Sequence, residues 1–283
     1  MSWSRSAIVF LVVAASVGVL GGTVHATKLG DVDVSGYVDV YGATNLNRPA
    51  ALGIPLHLFE GNEAFSLNRA EVVFDAPSFR VDLGFGPTDG VVALGGAAGG
   101  TGNLQQAYVK WPVSFGGRDL AVDVGKFVTH MGMEVIESKD NWVYSRGLLF
   151  QYAIPYTHTG LRVNTAINSN WNAGLHIVSG WNNVVSTQRG PGYGLQVIGK
   201  LLPQAGLVVN YMTGSHVLAG SSASVFDVVL TYDVNKSLSV AANIDSGSII
   251  AAAGGATNNY SAWAIYGKYA MANGTVVLRY ESF

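Results

Sequence analysis

The chain has 283 residues, of which 49% are hydrophobic and only 12% are charged, and its formal net charge is −2. Its mean hydropathy of +0.28 is high for a soluble globular protein. The absence of cysteine excludes disulfide bonds and a lipid-modified N-terminal cysteine. The slightly acidic balance argues against a nucleic-acid partner, which requires a basic surface.

The N-terminus contains the one long apolar run of the sequence, Ala7–Gly22. Arg5 precedes this run, and the residues VHA follow it. The pattern predicts a secretory signal peptide over residues 1–26, cleaved after Ala26. A membrane anchor is the alternative, but the run is short for a span and lacks a strong stop-transfer flank. We therefore expect residues 27–283 to be exported as one domain.

After this run the hydrophobic pattern has a period of two. In Ser224–Val234, apolar and aromatic side chains alternate with polar ones that include Asp227, Thr231 and Asp233. This alternation is typical of a strand with one polar face. It predicts about 13 strands, most of them about 9 to 11 residues long, the length of a tilted strand that crosses a bilayer. The predicted strands cover residues 31–44, 66–75, 79–87, 103–111, 118–127, 157–168, 172–182, 192–201, 205–213, 224–234, 237–246, 260–271 and 274–283.

The connections between these strands alternate in length. Short turns such as DAPS, VNKS and MANGT follow the even-numbered strands and are rich in turn-forming residues. Longer connections, such as Leu46–Phe65 and Pro87–Gly102, mostly follow the odd-numbered strands. Alternating short and long connections are typical of a transmembrane barrel with one periplasmic and one external rim. The predicted fold class is therefore all-β, an antiparallel up-and-down transmembrane β-barrel.

Charged residues on the predicted strands lie opposite the apolar rows. A Lys or Arg that faces lipid at mid-depth costs about 2 to 4 kcal/mol, so these side chains must face a polar lumen. The set contains nine acids and seven bases, which predicts a weakly selective pore. Five of these residues are predicted to form the lumen wall: Arg69, Arg80, Lys110, Arg162 and Asp227.

Several motifs resemble those of the beta-barrel porin-2 (OmpL-like) family of bacterial outer-membrane proteins. They are SGYVDVYGATNLNRP, FSLNRAEV, NLQQAYV, VDVGKF, GMEVIESKDNWVYSRGLLFQYAIPYTHTGLRV and SGWNNV, and they span most of residues 31–200. The resemblance implies a porin in the bacterial outer membrane, with membrane lipid and small polar solutes or ions as its partners. It supplies no known solute, cofactor or catalytic residue, and it leaves a homo-oligomer open.

The end of the chain departs from the pattern of this family, whose members run on for more strands. The apolar row of the last predicted strand is out of phase with the terminal Phe283. Bacterial single-chain barrels have even strand counts, whereas the predicted count is odd. We therefore expect a C-terminally truncated fragment of a larger even-stranded barrel, incomplete or poorly closed between its first and last strands.

The longest connection, residues 128–156, contains an unusual concentration of charge for this sequence. Its apolar residues favour folding inward, because an outward loop has nothing to bury them against. The charges would then form a pore constriction, with acids opposed to bases across a water-filled gap. The predicted constriction residues are Glu134, Glu137, Asp140, Lys139 and Arg146. Replacing both glutamates with Gln is expected to shift ion selectivity toward anions in a folded barrel.

Other functions compete with the porin. His130, Glu134 and Glu137 have the spacing of metal ligands if the segment is helical, and the two glutamates could form an acid/base pair. We predict no metal site, because a metal ion requires every one of its ligands to be held in place. We also predict no enzyme, because no GxSxG motif identifies a nucleophilic serine. Trp142 and Tyr144 could stack on sugars. The main alternative is a structural or adhesive outer-membrane barrel with a plugged lumen.

Overall fold

The computed structural model describes residues 24–44, 54, 56–94, 102–186, 189–216, 220–252 and 255–283. The predicted signal peptide lies outside the described residues up to position 23, and residues 24–26 open the first strand. Parts of the long connections 46–65 and 87–102 also lie outside them. Among the described residues, no helix has the length and the hydropathy needed to span a membrane.

The described chain forms one antiparallel sheet of 14 strands, in which the spatial order follows the sequence. A short helix, α1 (Pro87–Leu94), follows β4, and helical turns at Ser138–Asp140 and Leu149–Ala153 lie between β6 and β7. The strands are β1 (Val24–Leu29), β2 (Val32–Ala43), β3 (Ala64–Asp75), β4 (Phe79–Phe85), β5 (Leu104–Phe115), β6 (Arg118–Val128), β7 (Thr157–Ala166), β8 (Trp171–Val178), β9 (Gly192–Leu202), β10 (Ala205–Ser215), β11 (Ser222–Asp233), β12 (Leu238–Ile250), β13 (Thr257–Met271) and β14 (Gly274–Ser282).

The predicted all-β, up-and-down architecture is confirmed, and the sheet has 14 strands where about 13 were predicted. The additional strand is β1, which pairs with β2 through partners such as Thr27 and Val34. The odd count therefore no longer argues for a missing strand. Within the described part of the chain, β14 forms no ladder with β1 or β2. Such a ladder would have contradicted the predicted open seam between the first and last strands.

The two faces of the sheet have the opposite polarity to those of a soluble protein. On β2, Asp39 is 3% exposed, whereas its neighbours Val38 and Val40 are 51% and 46% exposed. The same inversion occurs on β11, where Asp227 is buried and Phe226 is exposed. An outward apolar face and an inward polar face are the arrangement of a barrel in lipid. We call the polar side the inner face.

A β-bulge in β3 places two consecutive polar side chains on the inner face. Asp39 pairs with Arg69 and Val40 pairs with Leu67, so Asn68 has no residue opposite it. An extra residue in one strand interrupts the strict alternation of faces. As a result, Asn68 and Arg69 are both fully buried.

Two motif glycines allow the strands β5 to β8 to approach closely. Gly125 and Gly160 are cross-strand partners with φ angles of +143° and +153°. A Cβ on Gly125 would lie 2.2 Å from the carbonyl oxygen of Ala107, and one on Gly160 would lie 2.3 Å from that of Ile177. Any side chain at either position would therefore collide with backbone.

Candidate functional site: a segment packed across the inner face

The connection between β6 and β7, residues 129–156, packs against the inner face of the sheet, and we call it the inner segment. Met131, Ile136, Leu149 and Phe150 are buried within it. They belong to a hydrophobic cluster with residues of several strands, including Met212 of β10. Apolar burial of this kind stabilises the position of the segment.

One set of contacts between the inner segment and distant strands is with β11 and β12. The backbone N–H of Gly132 donates to Asp227 Oδ1 at 3.1 Å. The N–H of Met133 donates to Asn243 Oδ1 at 3.0 Å. These side chains satisfy backbone groups that would otherwise be buried without partners.

The second set of contacts is with β13 and β14. Glu134 Oε1 lies 2.9 Å from Arg279 Nη1, and the hydroxyl of Tyr266 donates to the same oxygen at 3.1 Å. The N–H of Gly147 donates to Glu134 Oε2 at 2.5 Å. Burial raises the pKa of Glu134, while Arg279 and this N–H oppose the shift. Arg279 also lies 3.2 Å from Glu281, so the ion pair is part of a network.

The third set of contacts is with β2 and β3. Asp39 of β2 accepts hydrogen bonds from Ser138 Oγ and from the Tyr144 hydroxyl, both at 2.7 Å. Asn68 Nδ2 donates to the same carboxylate at 2.9 Å. The bulge in β3 thus supplies a side chain that helps to hold the inner segment.

Arg69 is the centre of a buried ion cluster beside this contact. Its guanidinium lies 3.0 Å from Glu71, 3.2 Å from Asp89 of α1 and 3.5 Å from Glu137 of the inner segment. Burial raises the pKa of Asp89 to about 6, although Arg69 opposes the shift. The cluster joins β3, α1 and the inner segment.

Arg146 is a second fully buried arginine. Its guanidinium binds Glu60 of the β2–β3 connection and donates to the carbonyl oxygen of Ile136 at 2.5 Å. It also lies 5.0 Å from the centre of the Phe59 ring. Arg146 therefore ties the inner segment to the connection between β2 and β3.

Contacts to both ends of the sheet show that the sheet is rolled around the inner segment. Tyr144 bonds to Asp39 on β2, and the carbonyl oxygen of the next residue, Ser145, accepts a hydrogen bond from Arg279 on β14. Because β2 and β14 are far apart in the strand order, adjacent residues can reach both only if the sheet curves round.

The motif SGWNNV holds the exit of the inner segment. Asn182 has a positive φ of 59°, and its Oδ1 accepts the N–H groups of Tyr156 at 2.5 Å and Thr157 at 3.1 Å. The N–H of Trp181 donates to the carbonyl oxygen of Ser215 on β10 at 2.8 Å. The motif fixes the point at which β7 begins.

Three histidines meet at the start of the inner segment, just after β6. The ring of His130 stacks on His176 of β8, with centroids 3.9 Å apart, and lies 5.8 Å from His158 of β7. Burial, followed by these two imidazoles, holds the pKa of His130 well below 6.5. The metal-like spacing of His130, Glu134 and Glu137 does not bring them together, since each glutamate pairs with a different arginine. In the described ranges, no three His or carboxylate side chains are placed to hold a metal ion.

A cavity of about 720 Å³ lies between the inner segment and the wall formed by β2 to β7. Two tyrosines, Tyr37 and Tyr108, contribute to its lining. Its charged lining residues are Asp33, Glu71, Asp75, Arg80, Glu137, Lys139, Asp140 and Arg162. Acids and bases from the segment and the wall thus face the same space.

The structure divides the predicted site residues into two groups. Those that line the cavity are Glu137, Lys139 and Asp140 of the predicted constriction and Arg80 and Arg162 of the predicted wall. Those that are buried in contacts of the inner segment are Glu134, Arg146, Arg69 and Asp227. Lys110 belongs to neither group and pairs with Asp75.

Sequence reasoning did not select several residues that hold the inner segment. Asp39 and Arg279 belong to the larger set of nine acids and seven bases on the predicted strands, but nothing local indicates that both contact this segment. Glu60 and Asp89 lie in connections, where no alternation assigns a face. Asn243 is an uncharged residue within an ordinary strand pattern, and only its position opposite Met133 reveals its role.

The chain matches a family described as "Putative beta-barrel porin-2, OmpL-like" over residues 31–283. The matched region extends beyond residue 200, where the quoted motifs end. Two similar solved structures are both of OmpT, an outer membrane protein of Vibrio cholerae. Its loop L8 deletion mutant has 13% identity and a TM-score of 0.46, with 90% of this chain and 81% of that chain covered. The in-vitro folded form has 13% identity and a TM-score of 0.32, with 89% and 68% covered. A search of curated protein sequences finds no match.

Proposed function

Because the chain belongs to the beta-barrel porin-2, OmpL-like family, we propose that it is an outer-membrane porin for the passive diffusion of small polar solutes or ions. The inner segment narrows the lumen, and solutes pass between it and the wall of β2 to β7. The exposed apolar outer face is in contact with membrane lipid. Export by a signal peptide over residues 1–26 stays a prediction.

The observation that carries this proposal is the charged cavity beside the inner segment. Its volume of about 720 Å³ is in the range of roughly 300 to 1,000 Å³ that suits small molecules. Charged side chains on both sides of a water-filled gap orient dipolar solutes and filter ions. The combination favours a pathway for small polar solutes.

The charges that line the cavity favour cations weakly. Five acids (Asp33, Glu71, Asp75, Glu137 and Asp140) stand against three bases (Arg80, Lys139 and Arg162), an excess of two negative charges. Each of these bases has an acidic partner: Arg80 with Asp75 and Asp82, Arg162 with Asp123, and Lys139 with Asp140. Pairing reduces the field of each base, so selectivity is expected to be modest.

Planar-bilayer recordings in a salt gradient test this function. Wild-type protein should conduct ions with a small preference for cations, and the Glu137→Gln/Asp140→Asn variant should shift the reversal potential toward anions. The matched control is Asp119→Asn/Asp233→Asn, which removes two charges that do not line the cavity. An equal shift in both variants would place the pathway elsewhere. A folded protein without conductance would favour the plugged structural or adhesive barrel.

A further inference from the structure

Two carboxylates face each other beneath the first residues of the inner segment. Asp227 of β11 and Asp245 of β12 are direct cross-strand partners on the inner face, and both are 0% exposed. The amide nitrogen of Asn243 contacts both, at 2.5 Å from Asp227 Oδ2 and 3.4 Å from Asp245 Oδ1. Two ionised carboxylates this close and this buried repel each other strongly.

No basic side chain neutralises this pair within the described part of the chain. None of the ion pairs there involves Asp227 or Asp245. The groups around the pair are the amides of Asn210 and Asn243 and a backbone N–H of the inner segment. The neighbouring titratable side chain on β13 is Tyr260, whose hydroxyl donates to the carbonyl oxygen of Ala153. Burying two unpaired charges is very costly, so the pair requires one compensating positive charge, either a proton or a cation.

The two carboxylates have unequal hydrogen-bond partners. Asp227 accepts three N–H groups, from Asn210 at 2.6 Å, Asn243 at 2.5 Å and Gly132 at 3.1 Å. Asp245 has only the long contact with Asn243, and its Oδ2 has no partner among the described residues. Donors stabilise the ionised form of a carboxylate. Asp227 is therefore suited to carry the negative charge, and Asp245 is not.

We propose that Asp227 and Asp245 form a proton-binding site, in which one proton on Asp245 is shared with the ionised Asp227. A metal ion fits less well, because calcium takes about six to eight oxygen ligands. The nearby amide oxygens are already used: Asn243 Oδ1 accepts the Met133 N–H, and Asn210 Oδ1 accepts a hydrogen bond from Gln196. A proton needs only the two facing carboxylates.

The shared proton stabilises the position of the first residues of the inner segment. Asp227 holds Gly132, and Asn243, which touches both carboxylates, holds Met133. Loss of the proton at alkaline pH places two negative charges side by side, and their repulsion drives the two carboxylates apart. The inner segment is then expected to loosen from β11 and β12. An effect on conductance rests on the proposed function, but the proton site does not.

Two single-atom substitutions distinguish the members of the pair. Asp245→Asn supplies a neutral donor of the same shape as the protonated acid, so this variant should keep the wild-type protease resistance of residues 129–156 at neutral pH. It should also lose the several-fold rise in proteolysis that wild type shows on going to alkaline pH. Asp227→Asn removes the charged acceptor of three N–H groups and should increase proteolysis at every pH.

Infrared spectroscopy and calcium supply the decisive readouts, and neither requires ion conduction. The difference spectrum between wild type and Asp245→Asn should contain the carbonyl band of a buried protonated carboxyl group, which separates Asp245 from the other buried acids. Absence of that band from the difference spectrum would overturn the proposal, as would equal effects of the two substitutions on proteolysis. Protection of wild type by calcium chloride, reversed by a chelator and absent in Asp245→Asn, would assign the pair to a metal ion instead.

Discussion

The ion pair between Glu134 and Arg279 is predicted to be a principal restraint on the inner segment. The side chains of Arg279 and Glu134 are 8% and 5% exposed, and their charged atoms lie 2.9 Å apart. Removing one partner of such a buried pair costs about 3 to 5 kcal/mol, because the other charge loses its compensation. In Glu134→Gln, Arg279 keeps Glu281 at 3.2 Å, so we expect a cost near the lower limit, about 3 kcal/mol.

Limited proteolysis of the folded protein measures this cost. If the inner segment detaches and rebinds faster than it is cut, the cleavage rate follows the population of the detached state. A loss of about 3 kcal/mol then increases cleavage within residues 129–156 roughly 100-fold. Glu134→Gln/Arg279→Gln should recover part of the loss, with a coupling free energy on the order of 2 kcal/mol.

The matched control is Asp140→Asn, which removes a carboxylate from the same segment. The side chains of Lys139 and Asp140 are 46% and 54% exposed, and an exposed pair contributes at most about 1 kcal/mol. This variant should therefore be cut at nearly the wild-type rate. Equal cleavage of Glu134→Gln and wild type, or an effect of Asp140→Asn as large as that of Glu134→Gln, would refute the assigned role of the buried pair.

Two further predictions concern the ends of the inner segment. Since burial lowers the pKa of His130 below 6.5, unfolding takes up a proton below about pH 6.5. The stability that the neutral, buried His130 contributes is fully present above that pH and decreases as the pH falls. His130→Gln should remove the part of the acid loss that His130 contributes in thermal unfolding scans. Asn182→Ala leaves the N–H groups of Tyr156 and Thr157 without their acceptor and should cost about 1 to 3 kcal/mol, whereas an unchanged unfolding midpoint would contradict the role of this motif.

Much of the fold could be predicted because strand patterns are local. Successive side chains of an extended chain point to opposite faces, so a period of two assigns Asp39 and Val40 to opposite sides of the sheet without knowledge of any other strand. Short and long connections then order the strands as a meander. β1 was missed because it has only six residues, too few for alternation to be recognised, and because it overlaps the predicted signal peptide.

The contacts of the candidate site depend on the curvature of the sheet, which no local pattern encodes. Glu134 meets Arg279 across 145 positions of sequence, and it does so only because the sheet brings β14 round to the inner segment. The bulge at Asn68 likewise depends on the register between β2 and β3. From the sequence, Glu134 and Glu137 are equivalent acids of one charged segment. The tertiary structure buries Glu134 in an ion pair and leaves Glu137 beside the cavity, because each pairs with an arginine on a different part of the wall.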